Sequence, residues 1–279
     1  MAEKNKQFIE QNPAPKKRFS QNFLVNPKAV EMMLDAVGEI KKGTIVECGV
    51  GKGALTQPLA QRYTRVPILG VDIDSRCIRH TQALTKKNKN VRLIEADLCG
   101  ETFFQELTNL ADPLTFIGNL PYHIASQVLL RIIQFWPRTH KIVFMLQKEF
   151  AQRLRASPSE PEFGKLTVLF QSYFGIQKVI SLNPESFFPR PDVKSEVLVF
   201  TPLKKPVLSF EHITHLSKFL GMAFMHRRKT LRYNLKLVLG PRHLDVIRDV
   251  LSKDGITLDH RAEIVPVSTW GAISEALIH

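Results

Sequence analysis

The sequence has few cysteines and no long apolar run, and each absence disfavours a class of protein. Three cysteines occur among 279 residues, at positions 48, 77 and 99, and none has metal-ligand spacing. A disulfide framework and a zinc site are therefore disfavoured, and a reducing cytoplasmic compartment is expected. No apolar stretch reaches the ~18–20 residues of a membrane helix. We accordingly predict a protein with no metal site and no membrane partner.

The first fifteen residues also lack the features of a targeting segment. They are polar, they end in Asn12-Pro13-Ala14-Pro15, and they contain Glu3 and Glu10. They have no apolar core, which disfavours a signal peptide. They are not rich in Arg and Ser, which disfavours a transit peptide. We predict a flexible basic tail over residues 1–15.

Acidic residues are scarce relative to basic ones. The chain has 39 Lys and Arg against 26 Asp and Glu, which gives a net charge of +13. This excess favours a polyanionic partner, nucleic acid before an acidic membrane, with a solubility charge on an ordinary enzyme as the alternative. The densest basic cluster consists of Arg227, Arg228, Lys229, Arg232 and Lys236. No acid interrupts it, and helical spacing predicts that most of it shares one helix face and contacts phosphates.

Short apolar strands alternate with helical segments from residue 27 onward. The predicted strands are 44–48, 66–71, 91–96, 114–117 and 141–146, and the predicted helices between them are 27–37, 54–63 and 125–136. Uniformly apolar strands separated by helices are typical of a parallel sheet covered on both faces. Segments 166–174, 178–182 and 196–200 are predicted as later strands or a final hairpin.

The composition changes at Thr201-Pro202-Leu203-Lys204-Lys205-Pro206, which is typical of a linker. Beyond it the pattern is helical, over residues 211–226, 229–239, 242–253 and 269–277, the last behind a Ser268 cap. We therefore predict an α/β, Rossmann-like domain over residues 16–203 and a small all-helical domain over residues 204–279.

A glycine-rich turn follows the first strand of the predicted sheet. It has the pattern Glu47-x-Gly49-x-Gly51-x-Gly53, with an acid ahead of the first glycine and no Lys-Ser/Thr pair after the last. Glycines let the backbone approach a ligand closely. The pattern differs from the G-x-G-x-x-G of dinucleotide folds and from the phosphate loop. It resembles motif I of the S-adenosylmethionine-dependent methyltransferases, in which Gly49 and Gly51 would bind the cofactor.

Acids end the next two strands. Asp72 lies 19 residues after Gly53, where a carboxylate can hydrogen-bond both ribose hydroxyls; a solvated turn acid is the alternative. Asp97 ends the third strand, and in the resembled fold an acid there faces the adenine amino group. A helix cap explains the spacing of Asp97 equally well.

The tetrapeptide Asn119-Leu120-Pro121-Tyr122 follows the fourth strand, where open α/β sheets place their sites. It resembles the (Asp/Asn)-Pro-Pro-(Tyr/Phe) motif of methyltransferases that modify exocyclic amines. The lone pair of an adenine amine is delocalised into the ring. Two acceptors, the Asn119 side-chain oxygen and a carbonyl of the Leu120–Pro121 segment, can grip its N–H bonds and aim the lone pair at a sulfonium methyl. Tyr122 offers a face on which an extruded base can stack.

Together with these motifs, further blocks in chain order resemble the KsgA-type rRNA adenine dimethyltransferases. They are Arg18-Phe19-Ser20-Gln21-Asn22-Phe23-Leu24, Gln147-Lys148-Glu149-Phe150-Ala151-Gln152-Arg153-Leu154, Phe163-Gly164-Lys165-Leu166-Thr167-Val168, Phe187-Phe188-Pro189-Arg190-Pro191-Asp192-Val193-Lys194-Ser195 and His226-Arg227-Arg228-Lys229-Thr230-Leu231-Arg232. The resemblance implies that Asn22 and Leu24 contact the cofactor. It also implies that Phe187 or Phe188 stacks on the target adenine opposite Tyr122, and sequence does not choose between the two.

The resemblance also implies the reaction. Four methyl groups pass from S-adenosylmethionine to two adjacent adenosines in the 3'-terminal hairpin of 16S rRNA, on an assembling small ribosomal subunit. The helical domain would bind RNA, and the enzyme would act as a cytoplasmic monomer.

Three other functions fit parts of the pattern. A related resistance methyltransferase of large-subunit rRNA is disfavoured by Leu120 and by the Gln147 helix. A mitochondrial transcription factor on the same fold is disfavoured by the missing transit peptide, and a nicotinamide-dependent dehydrogenase by the Asn119 tetrapeptide and the basic charge.

Overall fold

The computed structural model describes residues 13–15 and 21–277. Most of the predicted tail over residues 1–15, and residues 18–20 of the first resembling block, lie outside this range. Its strands are β1 (Phe23–Leu24), β2 (Thr44–Cys48), β3 (Ile68–Asp72), β4 (Val91–Glu95), β5 (Leu114–Asn119), β6 (Thr139–Gln147), β7 (Phe174–Leu182), β8 (Phe187–Phe188) and β9 (Ser195–Pro202).

Helices connect most of these strands and form the C-terminal part of the described chain. They are α1 (Pro27–Val37), α2 (Thr56–Arg62), α3 (Ser75–Leu84), α4 (Glu101–Thr108), α5 (Ala125–Ile132), α6 (Lys148–Arg155), α7 (Lys165–Gln171), α8 (Ile213–Ala223), α9 (Leu231–Leu235), α10 (Pro241–Ser252) and α11 (Val267–Ala276). Short 3-10 turns occupy Ile133–Arg138, Pro184–Ser186, Phe210–His212 and Ala262–Ile264.

The central sheet has the strand order β4-β3-β2-β5-β6-β9-β7. Strands β2 to β6 are parallel, and β9 runs antiparallel to β6. The predicted α/β Rossmann-like class is confirmed. From β2 the chain first builds outward through β3 and β4 and then returns to build β5 and β6 on the other side. The strand order therefore reverses between β2 and β5, which is where such sheets bind ligands.

Helix α1 shows how the sequence forms the core of this unit. Its first-turn Pro27 fits a helix start, and the Asn26 side chain accepts a hydrogen bond from the Ala29 amide at 3.2 Å. Met33 and Val37, four residues apart, are fully buried and join the apolar cluster that includes β2, β5 and β6 residues. The predicted bounds of α1 and β2 match the observed ones.

Segment 166–174, predicted as a strand, is largely the helix α7. Its β-branched and aromatic residues are typical of a strand, but Val168 and Phe170 are buried together in a helical turn. The Gly164 amide donates to the Thr167 hydroxyl at 3.0 Å, and that hydroxyl donates to the Arg153 carbonyl at 2.6 Å. Tertiary packing and these hydrogen bonds override the local preference.

Two further expectations for the C-terminal helices are wrong. The last helix begins at Val267 with Pro266 at its N-cap, so Ser268 lies inside the first turn. The predicted helix over residues 229–239 is only the five-residue α9, capped by Thr230, whose hydroxyl accepts from the Tyr233 amide at 3.3 Å. The basic residues at 227–229 precede α9 in a turn, so the basic cluster does not form one helix face.

The described chain divides into two compact units. The first contains the residues up to Ala151 with Gln177–Thr201, and the second contains Gln152–Ile176 with the residues from Pro202 onward. One boundary coincides with the predicted linker, whereas residues 152–176 differ from the expected division. Their aromatic side chains belong to the second unit's core, where the Phe163 ring lies 6.4 Å from Phe224 and Phe224 lies 5.5 Å from Trp270.

Gly118, near the end of β5, packs against the backbone of β2. A Cβ atom there would lie 2.3 Å from the Cys48 carbonyl oxygen. We expect Gly118→Ala to lower the free energy of unfolding by about 1–3 kcal/mol, because backbone cannot yield as a side chain does. Gly221→Ala, inside helix α8, is the control, because the atom nearest its Cβ position is the flexible Lys165 Nζ, at 3.5 Å. Urea unfolding measures both, and equal stability of the two variants would contradict the close approach.

Candidate functional site

A cavity of about 340 Å³ opens at the carboxyl ends of the strands, at the point where the strand order reverses. This volume lies in the range of small-molecule sites. The cavity brings together every residue predicted to bind the cofactor and all four residues of the tetrapeptide. These are Asn22, Leu24, Gly49, Gly51, Asp72, Asp97, Asn119, Leu120, Pro121 and Tyr122.

The glycine turn after β2 forms one wall. Gly49 and Gly51 have φ angles of +83° and +50°, in the left-handed region that side chains disfavour. A Cβ on Gly51 would also lie 3.1 Å from the Phe23 ring. The Gly49 amide donates to the Val71 carbonyl at 2.8 Å, which holds the turn against the end of β3.

Asp72 is buried at the end of β3, so it is not a solvated turn acid. One carboxyl oxygen accepts from the Gly51 amide at 2.9 Å, and the other accepts from the Asp74 amide at 2.9 Å. Burial raises the pKa of Asp72, and the two amide hydrogen bonds oppose that rise. Asp72 therefore orders the glycine turn, and each oxygen keeps a lone pair for a ligand hydroxyl.

Asp97 is exposed at the cavity rim, two residues beyond β4. One of its oxygens accepts from the Cys99 amide at 2.8 Å. The N-cap of α4 is Gly100, so Asp97 is not the cap of that helix. The second oxygen is available to a hydrogen-bond donor at the rim.

The Asn119 side chain is oriented by the segment that contains β1. Its amide nitrogen Nδ2 donates to the Asn22 carbonyl at 2.8 Å. A carbonyl accepts only from the NH₂ group, so the oxygen Oδ1 is left as the acceptor that Asn119 presents to a ligand. Leu24, two residues on, lines the cavity and packs into the apolar core.

Leu120, Pro121 and Tyr122 continue from β5 along the cavity. Leu120 is buried, and its amide donates to the Met145 carbonyl at 3.3 Å, so the turn is tied to β6. The Tyr122 hydroxyl lies 2.7 Å from the buried Ser195 hydroxyl. Burial raises the pKa of the Tyr122 phenol, and this hydrogen bond partly offsets the rise. Tyr122 is thus a fixed, neutral aromatic ring.

The structure distinguishes the two candidate phenylalanines. Strand β8 pairs with β1 so that Phe187 lies opposite Leu24 and Phe188 opposite Phe23. Phe187 is 2% exposed and belongs to the apolar core, whereas Phe188 is 59% exposed. Phe188 is therefore the one whose ring can meet a base without a change in packing.

Glu47 is a cavity-lining acid that the sequence analysis used only as part of a pattern. It is fully buried, and neither carboxyl oxygen has a hydrogen-bond partner among the described residues. Burial raises its pKa to about 8, and the neighbouring hydroxyl and amide of Thr56 oppose that rise. An unpartnered buried carboxyl group is costly unless a ligand compensates it. Its place two residues before the first glycine, at the end of β2, was the signal that could have found it.

The predicted basic cluster lies in the second unit and is partly neutralised there. Arg232 forms a two-point ion pair with Asp259, at 2.8 and 3.2 Å. Arg227 donates to the carbonyls of Pro161 and Phe163 and lies 3.8 Å from Glu263. The other three members are exposed and have no ion pair with an acid within residues 13–15 and 21–277. They are Arg228, Lys229 and Lys236.

Within residues 13–15 and 21–277, no helix has the length and apolarity to cross a membrane, and no three His, Cys, Asp or Glu residues are grouped to hold a metal ion.

Comparison with solved structures supports the fold. The crystal structure of a dimethyladenosine transferase from Plasmodium falciparum superposes with a TM-score of 0.73 and 23% identity, covering 90% of this chain and 95% of that one. The crystal structure of the 23S rRNA methyltransferase ErmE gives a TM-score of 0.68 and 21% identity, covering 92% of this chain and 100% of that one. At these identities the likeness shows a shared fold.

Sequence comparison identifies the family. The family model described as ribosomal RNA adenine dimethylase matches residues 13–277. A ribosomal RNA small subunit methyltransferase A from Neisseria meningitidis is 31% identical over 262 residues, 94% of this chain and 96% of the relative. The protein of the same name from Geobacter sulfurreducens is 33% identical over 264 residues, 94% of this chain and 95% of the relative. With a family match over nearly its whole length, the chain belongs to the ribosomal RNA adenine dimethylase family.

Proposed function

We propose that this protein transfers methyl groups from S-adenosylmethionine to the N6 amines of two adjacent adenosines in the 3'-terminal hairpin of 16S rRNA. The observation that carries the proposal is the fixed orientation of Asn119. Its Nδ2 is held by the Asn22 carbonyl, so Oδ1 is presented as an acceptor in a cavity lined by carboxyl groups. The relatives named small subunit methyltransferase A support the choice of rRNA.

The cavity fits the cofactor's groups. Asp72 would accept from the ribose hydroxyls, and Asp97 at the rim would accept from the adenine amine. The unpartnered Glu47 carboxyl would compensate the ammonium group of the methionine moiety. When bound, S-adenosylmethionine supplies a methyl group on a positively charged sulfonium, which is a good leaving group.

The protein's residues then act on the target amine. Asn119 Oδ1 and a backbone carbonyl of the Leu120–Pro121 segment would accept hydrogen bonds from its two N–H groups. These two hydrogen bonds would direct the nitrogen lone pair toward the methyl group on the sulfonium. Tyr122 is held by Ser195 and would stack on the extruded base. The opposing aromatic face would come from the Phe187–Phe188 segment, in which Phe188 is the accessible ring. In each transfer the nitrogen gains the methyl group as the sulfonium S–C bond breaks, and the nitrogen then loses one N–H proton to water. Methylating each amine twice requires this exchange to occur a second time, at the remaining N–H bond, in the same pocket.

RNA would also bind the second unit. Arg228, Lys229 and Lys236 are exposed, form no ion pair with an acid in the described structure and would neutralise phosphates. Arg227 and Arg232 are paired with Glu263 and Asp259, so each would have to leave its acidic partner before it could bind a phosphate. We propose that the protein acts as a cytoplasmic monomer on an assembling small subunit.

Methyl transfer from labelled cofactor to unmethylated ribosomal subunits tests the proposed function. We expect label in the small-subunit rRNA, up to four methyl groups per molecule, at two adjacent adenosines located by reverse transcription. Fully methylated small subunits are the matched control. Label in large-subunit rRNA instead would replace the proposal with a different rRNA substrate.

Asn119→Ala tests the role of the amide. We expect the methyl-transfer rate to fall by roughly 10²–10³, as for loss of one well-placed polar group at a reacting centre. Affinity for S-adenosylhomocysteine, measured by calorimetry, should remain within about threefold. Asn119→Asp keeps an acceptor oxygen but loses the amide that donates to the Asn22 carbonyl. It therefore separates the orientation of the side chain from its role as a hydrogen-bond acceptor. A near-normal rate in Asn119→Ala would remove the residue from catalysis.

Glu47 makes cofactor binding depend on pH. Burial raises its pKa to about 8, so at neutral pH the group is protonated in the free protein. Pairing with the ligand ammonium favours the carboxylate, so binding releases a proton. We expect the affinity to rise between about pH 6 and pH 8, by up to about tenfold per pH unit.

Calorimetry at pH 7 in buffers of different ionisation enthalpy counts the released protons directly. Glu47→Gln, a near-isosteric neutral variant, should abolish the protein's share of the release while the amine of the ligand still titrates. Equal proton release by the parent and Glu47→Gln would show that Glu47 does not pair with the ligand.

A further inference from the structure

Exposed apolar side chains are concentrated in one short part of the second unit. Tyr233, Leu237 and Val238 are 38%, 55% and 48% exposed. A contiguous apolar patch on a protein surface marks an interaction site, whereas single exposed apolar residues are ordinary. The proposed methyl-transfer chemistry uses none of the three.

Two lysine ammonium groups lie over the ring of Tyr233, and the His226 ring contacts it edge-on, with the ring centres 5.8 Å apart. The Lys229 ammonium lies 5.2 Å from the centre of the Tyr233 ring, and the Lys236 ammonium lies 5.5 Å from it. These distances are within the range of cation–π contact. Neither lysine forms an ion pair with an acid in the described part of the chain, so the positive charges here are not neutralised. We call Tyr233, Leu237 and Val238 with Lys229 and Lys236 the Tyr233 surface.

The backbone beneath the Tyr233 surface is held in place. Helix α9 is anchored by buried Leu231 and Leu235, and the Leu231 amide donates to the His260 carbonyl at 2.8 Å. Buried Asn234 donates to the Ala223 carbonyl at 2.9 Å and accepts from the His226 amide at 3.2 Å. The Tyr233 ring therefore projects from a rigid support, which lowers the entropy lost when a partner binds.

The nearby acid does not compete for the lysines. Asp259 is already paired with both nitrogens of Arg232 that face it. No Asp or Glu occurs in the sequence from Phe224 to Lys236. A partner must therefore be anionic to match the charge and must present flat or apolar groups to match the exposed side chains.

We infer that the Tyr233 surface binds unpaired nucleotides of an RNA. A base stacks on the Tyr233 ring in place of a lysine ammonium group, and Lys229 and Lys236 hold the adjacent phosphates. Unpaired nucleotides combine exposed base faces with phosphates at every residue. A duplex offers the phosphates, but its base faces are hidden in the stack. This inference rests on the proposed RNA substrate and adds a second RNA contact, one that reads unpaired structure.

Binding of a ten-nucleotide single-stranded RNA and of the same sequence as a duplex, over a series of salt concentrations, tests the inference on the full chain. Tyr233→Ala should weaken single-strand binding about 5- to 150-fold, the range for loss of one stacked base, with an unchanged salt slope. Duplex binding should change less than twofold. Tyr233→Phe, which keeps the ring and loses only the hydroxyl, should bind as the parent does.

Substitution of the lysines should change the salt dependence of binding, which substitution of Tyr233 leaves unchanged. Replacing Lys229 and Lys236 with Gln should lower the log–log salt slope by about 1.4, at ~0.7 per phosphate on a single strand. Lys253→Gln is the control, because Lys253 is also exposed in the second unit but lies outside the Tyr233 surface. An adenine analogue whose fluorescence is quenched by stacking, placed in the oligonucleotide, should be quenched less by Tyr233→Ala than by the parent and by Tyr233→Phe, since Tyr122 and Phe188 are intact in all three.

Parent-like single-strand affinity in Tyr233→Ala would overturn the inference and leave an acidic protein as the partner that the surface fits. Equal weakening of single-strand and duplex binding, or equal loss in Tyr233→Phe and Tyr233→Ala, would overturn base stacking. Methyl transfer to ribosomal subunits is measured in a separate assay. If the proposed reaction fails there, the oligonucleotide binding data still test the role of Tyr233.

Discussion

The hydrogen bond from the Asn119 side chain to the Asn22 carbonyl is the contact on which the candidate site depends. It joins the carboxyl end of β5 to the segment that contains β1, 97 residues earlier in the chain. Without it the Asn119 amide could present either a donor or an acceptor to a ligand. With it, only Oδ1 remains to contact the target amine. Because the amine donates its N–H group in a hydrogen bond, the side chain must present an acceptor to it.

Close backbone approach makes that arrangement possible. Strand β5 approaches β2 so tightly at Gly118 that no side chain fits against the Cys48 carbonyl. On the other side of the reversal point, Asp72 holds the Gly51 amide and keeps the glycine turn ordered. The same carboxyl group thus stabilises the turn and faces the cavity, so its burial serves folding and binding together.

The two units present different ionisable groups at the places where ligands are expected. The cavity of the first unit is lined by Glu47, Asp72 and Asp97, which suit a cationic cofactor. The second unit exposes Arg228, Lys229 and Lys236, which suit phosphates. A methyltransferase of RNA needs both, because its cofactor is positively charged at the sulfonium and its substrate is a polyanion.

The sequence by itself determined the fold class and most of the cavity. Alternating short strands and helices specify a parallel sheet, and such sheets gather their loops at one edge, so Gly49, Asp72, Asp97 and Asn119 were predictable as neighbours. Tertiary structure alone decided which groups have partners. Packing made 165–171 a helix despite its strand-like composition, and it buried Phe187 while leaving Phe188 exposed. It also paired Arg232 with Asp259, 27 residues away, and isolated Glu47. These outcomes depend on residues distant in the chain, and periodicity and spacing carry no information about such contacts.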